Sequence, residues 1–147
     1  MLVDTSVWSL ALRRKPKDLN LKERRVVGEW SELVREGRLR LIGPVRQELL
    51  SGIRRREAFT ALEQRLAAFP DAPVSTEDYV EAARFFNRCR ARGLAGTPVD
   101  LLICAVAHRF GWTIFSTDED FGRYRGLLPV RLHPITRAFV SPARISS

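Results

Sequence analysis

The sequence predicts an α/β protein built on an open, parallel sheet of four or five short strands, with helices flanking both faces. Short apolar runs alternate along the chain with longer segments of helical spacing. Strands that lack an alternating polar face are typical of parallel sheets buried on both sides. A length of 147 residues suits one domain, so we expect residues 1–147 to form a single unit, with the tail from about residue 134 at an edge or loose.

The predicted elements follow one another in a regular order. Strands are expected at short apolar segments, residues 1–4, 39–42, 72–74, 112–115 and 130–132. Helices are expected where apolar residues recur every three or four positions, ending near residue 12 and then at residues 21–36, 44–52, 57–69, 76–92 and 99–110. Residues 13–20 form a charged loop. The helix at 99–110 is apolar on nearly every side, which predicts deep burial.

Signals at the helix ends support these boundaries. Thr5 or Ser6 can cap the first helix through its hydroxyl oxygen. Gly37 and Gly111 follow predicted helices at the position where a left-handed residue usually ends them. Thr97, followed by proline, is a strong start for the apolar helix.

The charge and the cysteines narrow the functional classes. With 25 Lys and Arg against 17 Asp and Glu, the chain carries a net charge of +8, largely in arginine clusters. Such a surface attracts polyanions, of which nucleic acid is the commonest, although a basic surface also occurs in proteins without such a partner. No apolar run approaches a membrane span and no secretory leader is visible. Cys89 and Cys104 lack metal-ligand spacing, so we expect reduced thiols and a cytoplasmic protein.

Acidic residues fall where an open parallel sheet binds its ligands, outside the carboxyl ends of the strands. Asp4 closes the first strand, and Glu48 lies one turn into the helix after the second. Asp100 is in the first turn of the apolar helix, and Asp118 follows the fourth strand, with Asp120 close behind. We expect these acids to converge on one site.

Each acid also has an ordinary structural interpretation. Asp4 could be a helix cap, and Glu48 a solvated helix residue. Asp100 could complete a capping box with Thr97, and Asp118 could begin a short helix. The prediction of a site therefore depends on several acids meeting at one edge of one sheet.

A cluster of carboxylates repels itself at neutral pH and needs a cation. Oxygen ligands favour Mg²⁺ or Mn²⁺ over zinc, and the two histidines, His108 and His133, belong to no visible ligand set. No glycine-rich phosphate loop with a lysine is present. Mg²⁺ held by carboxylates in a basic protein fits the hydrolysis of a phosphodiester by water.

Four segments resemble the motifs of the PIN domain, and in particular those of VapC-type toxins. VDTSVW contains Asp4, VRQELLSG contains Glu48, TPVDLLICAVA contains Asp100 and IFSTDEDF contains Asp118. The segments stand in the family's order, and the resemblance spans residues 1 to about 132. It implies a PIN-like fold and metal-dependent endoribonuclease activity.

The resemblance also implies roles and partners. The four acids Asp4, Glu48, Asp100 and Asp118 would bind Mg²⁺ or Mn²⁺ directly or through water. Ser6 and Ser116 would orient carboxylates or water, and Asp120 would be a further helper. VapC toxins cleave RNA, are held inactive by a cognate antitoxin protein and commonly form homodimers.

Other functions fit parts of the pattern. A non-catalytic PIN-type RNA-binding module would be marked by loss of acids, and the acids are present. A PIN nuclease in RNA processing or DNA flap cutting would keep the chemistry and change the substrate. A receiver-type phosphoacceptor needs a lysine at a late strand end, whereas no lysine follows Lys22.

Overall fold

The computed structural model describes residues 1–135, in which helices dominate a small parallel sheet. Most of the tail predicted to be loose, from residue 136 onward, lies outside the described residues. The elements in chain order are β1 (Leu2–Val3), α1 (Thr5–Leu12), a 3-10 turn (Pro16–Asp18), α2 (Leu21–Arg35), α3 (Gly43–Leu50), α4 (Arg56–Leu66), α5 (Thr76–Ala91), α6 (Pro98–Phe110), β2 (Ile114–Phe115) and α7 (Asp120–Arg125).

The sheet is smaller than the sequence predicted. Among residues 1–135, β1 and β2 pair in parallel with Leu2 opposite Ile114, and they are the two segments that form a ladder. The other three predicted strands are represented by single parallel bridges, between Leu2 and Arg40, between Leu41 and Asp71, and between Ile114 and Leu132. A sheet of four or five strands is therefore not confirmed, although the segments lie side by side in the expected parallel sense.

The strands are short because the chain turns into a helix almost at once. Asp4, directly after β1, is already the N-cap of α1, and Ile42 is already the N-cap of α3. The prediction that Thr5 or Ser6 caps α1 was wrong, since both residues lie inside the helix. The Asp4 carboxylate takes that place and accepts a hydrogen bond from the Ser6 amide at 3.3 Å.

Helix α6 lies at the centre of the core, as its apolar sequence predicted. Seven consecutive residues, from Leu101 to Ala107, are buried, and Gly111 ends the helix with a left-handed φ of 67°. Helix α5 packs along α6. Two hydrogen bonds, from Arg109 of α6 to the Asp78 carboxylate of α5, join the two helices at 2.7 Å each. No helix within residues 1–135 is long and apolar enough to cross a membrane.

Candidate active site

The parallel pairing of β1 and β2 brings the first and fourth acidic motifs to one edge of the sheet. Beyond the ladder, the Asp4 amide donates to the Phe115 carbonyl oxygen at 2.9 Å. Ser116 and Asp118 follow β2 directly, so they leave the sheet beside Asp4. The residues concerned are more than 110 positions apart in the sequence and meet because the two strands share a register.

Asp4 is buried, with 5% of its surface exposed, and its neighbours are hydroxyl groups. One carboxylate oxygen, Oδ2, accepts hydrogen bonds from Ser6 Oγ at 2.7 Å and Ser116 Oγ at 2.9 Å. Ser6 Oγ also accepts from the Thr117 amide at 3.0 Å, and Ser116 Oγ accepts from the Asp118 amide at 3.0 Å. This network holds Asp4 in one orientation and ties it to the loop that carries Asp118.

Burial raises the pKa of Asp4 above the ordinary value for an aspartate, and the hydrogen bonds from Ser6 and Ser116 offset part of that effect. Neutral hydroxyl donors stabilise a buried carboxylate less than a cation does. Asp4 is therefore held in place by neutral donors, and no positively charged group contacts its carboxylate within residues 1–135.

Three carboxylates gather beside Asp4. Oxygen atoms of Asp100, Asp118 and Asp120 all lie within 4.8 Å of one another. Asp100 lies in the first turn of α6 and Asp120 in the first turn of α7. The Asp120 amide donates to Asp118 Oδ1 at 2.9 Å, which fixes the loop between them. Arg123 contacts Asp120 from the exposed side, the one ion pair that these three acids make within residues 1–135.

Asp100 shows most clearly that this cluster is strained electrostatically. Burial raises the pKa of Asp100 to about 6, and the charges of Asp4 and then Asp118 add to the increase. The Tyr124 hydroxyl works in the opposite direction, since it donates to Asp100 Oδ2 at 3.0 Å. Tyr124 is fully buried, and burial raises its own pKa, so its hydroxyl stays protonated and remains a donor.

Gly96 gives Tyr124 and α6 room to approach the site. A Cβ atom at this position would lie 2.3 Å from Leu101 Cδ2 and 3.6 Å from a ring carbon of Tyr124. Any larger residue would displace Leu101, which is packed in the core one position after Asp100.

Glu48 lies apart from the three clustered carboxylates. It is exposed on α3, and its Oε2 accepts a hydrogen bond from Thr5 Oγ1 at 2.9 Å. Thr5 follows Asp4 in the chain, so this bond links the second acidic motif to the first. Of the four acids predicted to form the site, the structure thus groups Asp100 and Asp118 tightly and holds Asp4 beside them.

The structural interpretations of these acids are partly correct. Asp4 does cap α1, and the Asp100 amide does donate to Thr97 Oγ1 at 3.2 Å, as a capped helix start requires. The Asp100 carboxylate, however, also accepts a hydrogen bond from the Tyr124 hydroxyl at 3.0 Å, a contact that helix capping does not require. Asp118 likewise precedes a short helix, α7, while its carboxylate joins the cluster. The same residues thus serve both as helix-start residues and as members of the acid site.

Sequence reasoning missed Tyr124, and it gave Asp120 a smaller place than the structure does. Asp120 supplies one of the three clustered carboxylates. Tyr124 lies four residues later on α7, one helical turn away. The sequence signal that could have indicated Tyr124 is its position one helical turn after the acidic motif. A tyrosine hydroxyl that is buried there needs a hydrogen-bond partner, and a carboxylate can supply one.

The ligand chemistry fits a hard divalent cation. Every group in the cluster is a carboxylate oxygen, and no histidine or cysteine among residues 1–135 joins it. Mg²⁺ and Mn²⁺ prefer such ligands, whereas zinc sites use nitrogen or sulfur. A cation would also offset the repulsion that raises the pKa of Asp100.

Comparison with known proteins identifies the fold. The profile of the PIN domain family matches residues 1–127. A chain of FitAcB from Neisseria gonorrhoeae superposes with a TM-score of 0.70 at 22% identity, over 91% of this chain and 96% of that chain. A chain of VapBC2 from Rickettsia felis, bound to a DNA fragment from their promoter, gives 0.69 at 17% identity, over 90% and 96%.

A third structure, FitAB bound to an IR36 DNA fragment, superposes with a TM-score of 0.68 at 20% identity, over 91% of this chain and 94% of that chain. No curated protein sequence matches the chain. At these identities the three structures show a shared fold, and the profile match shows the family. The chain belongs to the PIN domain family, whose members are generally nucleases.

Proposed function

We propose that this protein is a Mg²⁺- or Mn²⁺-dependent endoribonuclease that acts as the VapC-type toxin of a toxin–antitoxin pair. The observation that carries the proposal is the group of three carboxylates, Asp100, Asp118 and Asp120, within 4.8 Å of one another and beside the buried Asp4. A PIN domain that served only to bind RNA would have no need to maintain such mutual repulsion.

The side chains have distinct parts in this proposal. Asp100, Asp118 and Asp120 hold the cation. The buried Asp4 carboxylate beside them adds a fourth negative charge that attracts the cation. Ser6 and Ser116 keep Asp4 in the orientation that the hydrogen bonds define. Glu48, outside the group, acts through water. A divalent cation bound here supplies activation of a water molecule and polarisation of the phosphodiester.

The proposed partners follow from charge and from the resemblance. The net charge of +8 favours RNA, whose phosphates the arginine clusters would contact. Structures with the same fold carry the names VapBC2 and FitAB and contain promoter or IR36 DNA, which supports a cognate antitoxin. We further propose a single-domain protein of residues 1–147 that forms a homodimer and acts in the cytoplasm.

The direct test is RNA cleavage by the purified protein, with Mg²⁺ or Mn²⁺ and with EDTA. We expect metal-dependent cutting that Asp100→Asn reduces by at least about 100-fold, an order expected for loss of a group that stabilises developing charge. Arg84→Gln, on the exposed surface of α5, is the matched control and should cut normally. Absence of cleavage by folded protein free of antitoxin would favour the non-catalytic RNA-binding alternative.

Metal binding can be tested without any activity. Addition of Mg²⁺ should raise the melting temperature of the wild-type protein, because a ligand that binds the folded state stabilises it. Asp118→Asn should remove most of that increase, whereas Arg84→Gln should retain it.

A nuclease of RNA processing rather than a toxin would cut RNA in the same way but would slow growth little when expressed without an antitoxin.

A further inference from the structure

A groove beside the acid cluster runs between α1 and α2. It consists of two clefts of about 390 Å³ and about 320 Å³ that share Leu10 and Arg14 as lining residues. The first cleft is also lined by Ser6 and Thr117, and the second extends to the 3-10 turn. The groove therefore leads away from the acid site along one side of the molecule.

The groove and the site share a wall. Ser6 Oγ, which lines the first cleft, donates to Asp4 Oδ2 at 2.7 Å and accepts from the Thr117 amide at 3.0 Å. A chain lying in the groove would thus pass directly over the hydroxyl network that orients Asp4.

Basic side chains dominate the groove. They are Arg14, Lys17, Lys22 and Arg24. The acid that lines it, Glu23, accepts a hydrogen bond from the Asn20 amide at 2.9 Å and lies 4.0 Å from Arg14, so its charge is already compensated.

The two groove cations on α2, Lys22 and Arg24, have no stabilising partner among residues 1–135. Lys22 and Arg24 are exposed, and no side-chain hydrogen bond or ion pair within residues 1–135 engages them or Lys17. Lys22 and Arg24 also lie near the N-terminal end of α2, where the helix dipole disfavours positive charge. Their position thus lowers helix stability slightly and suits a negatively charged partner.

We propose that this groove binds the phosphates of a single-stranded RNA segment next to the bond that is cut, an inference that rests on the proposed function. The two clefts, of about 390 Å³ and about 320 Å³, are small, which favours a single strand over a duplex as the occupant. Apolar groups such as Leu10 and Val27 also line it, and no aromatic ring from residues 1–135 does. Without an aromatic platform for stacking, the groove holds the backbone with little preference for sequence.

The test compares two double variants that remove the same charge. Lys22→Gln/Arg24→Gln changes the groove. The control is Arg35→Gln/Arg38→Gln. Arg35 lies at the C-terminal end of α2, far from the groove cations. Arg38 lies at the opposite edge of the sheet, where its carbonyl oxygen accepts a hydrogen bond from the Met1 amine. Binding of a labelled twelve-nucleotide oligouridylate is measured by fluorescence anisotropy in EDTA, between about 50 and 300 mM KCl.

Each lost phosphate contact should reduce the slope of log K against log salt by about 0.7 for a single strand. We expect the groove variant to lose about 1.4 in slope and about 20-fold in affinity at 0.1 M salt, while the control stays near the wild type. In Mg²⁺, the groove variant should raise KM and leave kcat nearly unchanged. Equal losses in both variants, or no loss in the groove variant, would overturn the proposal, and the latter result would indicate a protein segment as the occupant.

This design separates the two proposals. If the wild-type protein does not cut RNA but the groove and control variants still differ in salt slope, the nuclease proposal is rejected and the groove proposal stands. If the wild-type protein cuts RNA but the two variants have equal salt slopes, the nuclease proposal stands and the groove proposal is rejected.

Discussion

Asp4 and Asp78 are the two buried charged residues among residues 1–135, at 5% and 2% exposure, and their surroundings differ completely. Asp78 receives two hydrogen bonds from the Arg109 guanidinium at 2.7 Å and a third from the Ser75 amide at 2.8 Å. Asp4 receives hydrogen bonds from neutral donors, two serine hydroxyls and one amide.

The pKa values of the two residues reflect this difference. The Arg109 hydrogen bonds lower the pKa of Asp78, whereas burial raises the pKa of Asp4. The chain thus places a guanidinium beside a buried carboxylate where α5 and α6 must be joined. Among residues 1–135, no guanidinium contacts Asp4, and three further carboxylates lie beside it instead. The contrast separates a buried carboxylate that a guanidinium balances from one that no basic side chain among residues 1–135 balances.

The largest effect on stability should come from Asp78→Asn, which removes the charge that faces Arg109. We expect it to lower the free energy of unfolding by about 3 kcal/mol, at the low end for a buried pair because Arg109 is partly exposed. The same substitution at Asp4, Asp4→Asn, should leave stability unchanged or raise it in EDTA. Urea unfolding at pH 7 measures both, and a loss of equal size at Asp4 would abolish the distinction.

A smaller effect should appear in the pH dependence of Asp100→Asn. Because the folded-state pKa of Asp100 is raised to about 6, ionisation of this residue destabilises the fold as pH rises from about 4 to about 6. The variant should match the wild type at pH 4 and exceed it by about 2 kcal/mol at pH 7 in EDTA, at about 1.4 kcal/mol per pKa unit with a reduction for partial exposure. A difference that does not change between pH 4 and pH 7 would contradict the prediction.

The smallest effect should come from Tyr124→Phe, which keeps the buried ring and removes the donor to Asp100. We expect a loss of about 1 kcal/mol, the usual contribution of one hydrogen bond. In the Asp100→Asn background, the same change should cost less, because a neutral acceptor loses less than a carboxylate. Equal losses in both backgrounds would show that the Tyr124 hydroxyl does not act through Asp100.

The sequence predicted a PIN-like α/β fold, the order of the long helices, and three acids, Asp4, Asp100 and Asp118, that lie near one another, whereas the predicted Glu48 lies apart from the cluster. Local signals sufficed for these, since Asp4 and Asp118 each follow a short apolar run and Asp100 begins an apolar helix. The extent of the sheet could not be predicted in this way. Whether an apolar segment such as residues 39–42 forms a ladder or a single bridge depends on how soon its neighbours turn into helices, and Ile42 is already a helix cap.

The finer arrangement of the site was also beyond local signals. Tyr124 and Asp100 are 24 residues apart and form a hydrogen bond, and Gly96, four residues before Asp100, packs closely against Leu101 and the Tyr124 ring. The spacing of Glu48 from the other acids is set by how α3 leaves the sheet. The Tyr124–Asp100 hydrogen bond and the position of Glu48 both depend on tertiary packing. Local patterns along the chain do not predict such packing.

The parallel pairing of β1 with β2 has a consequence for the synthesis of this protein. Within this chain, Asp4 is synthesised more than 110 residues before its hydroxyl partner Ser116 and before the acids Asp118 and Asp120. A nascent chain that ends before β2 therefore lacks the partners that enclose and orient Asp4, and it lacks two of the three clustered carboxylates. Under the function proposed above, such an incomplete chain could not yet cut RNA, so the enzyme would stay inert until β2 and the loop after it are made.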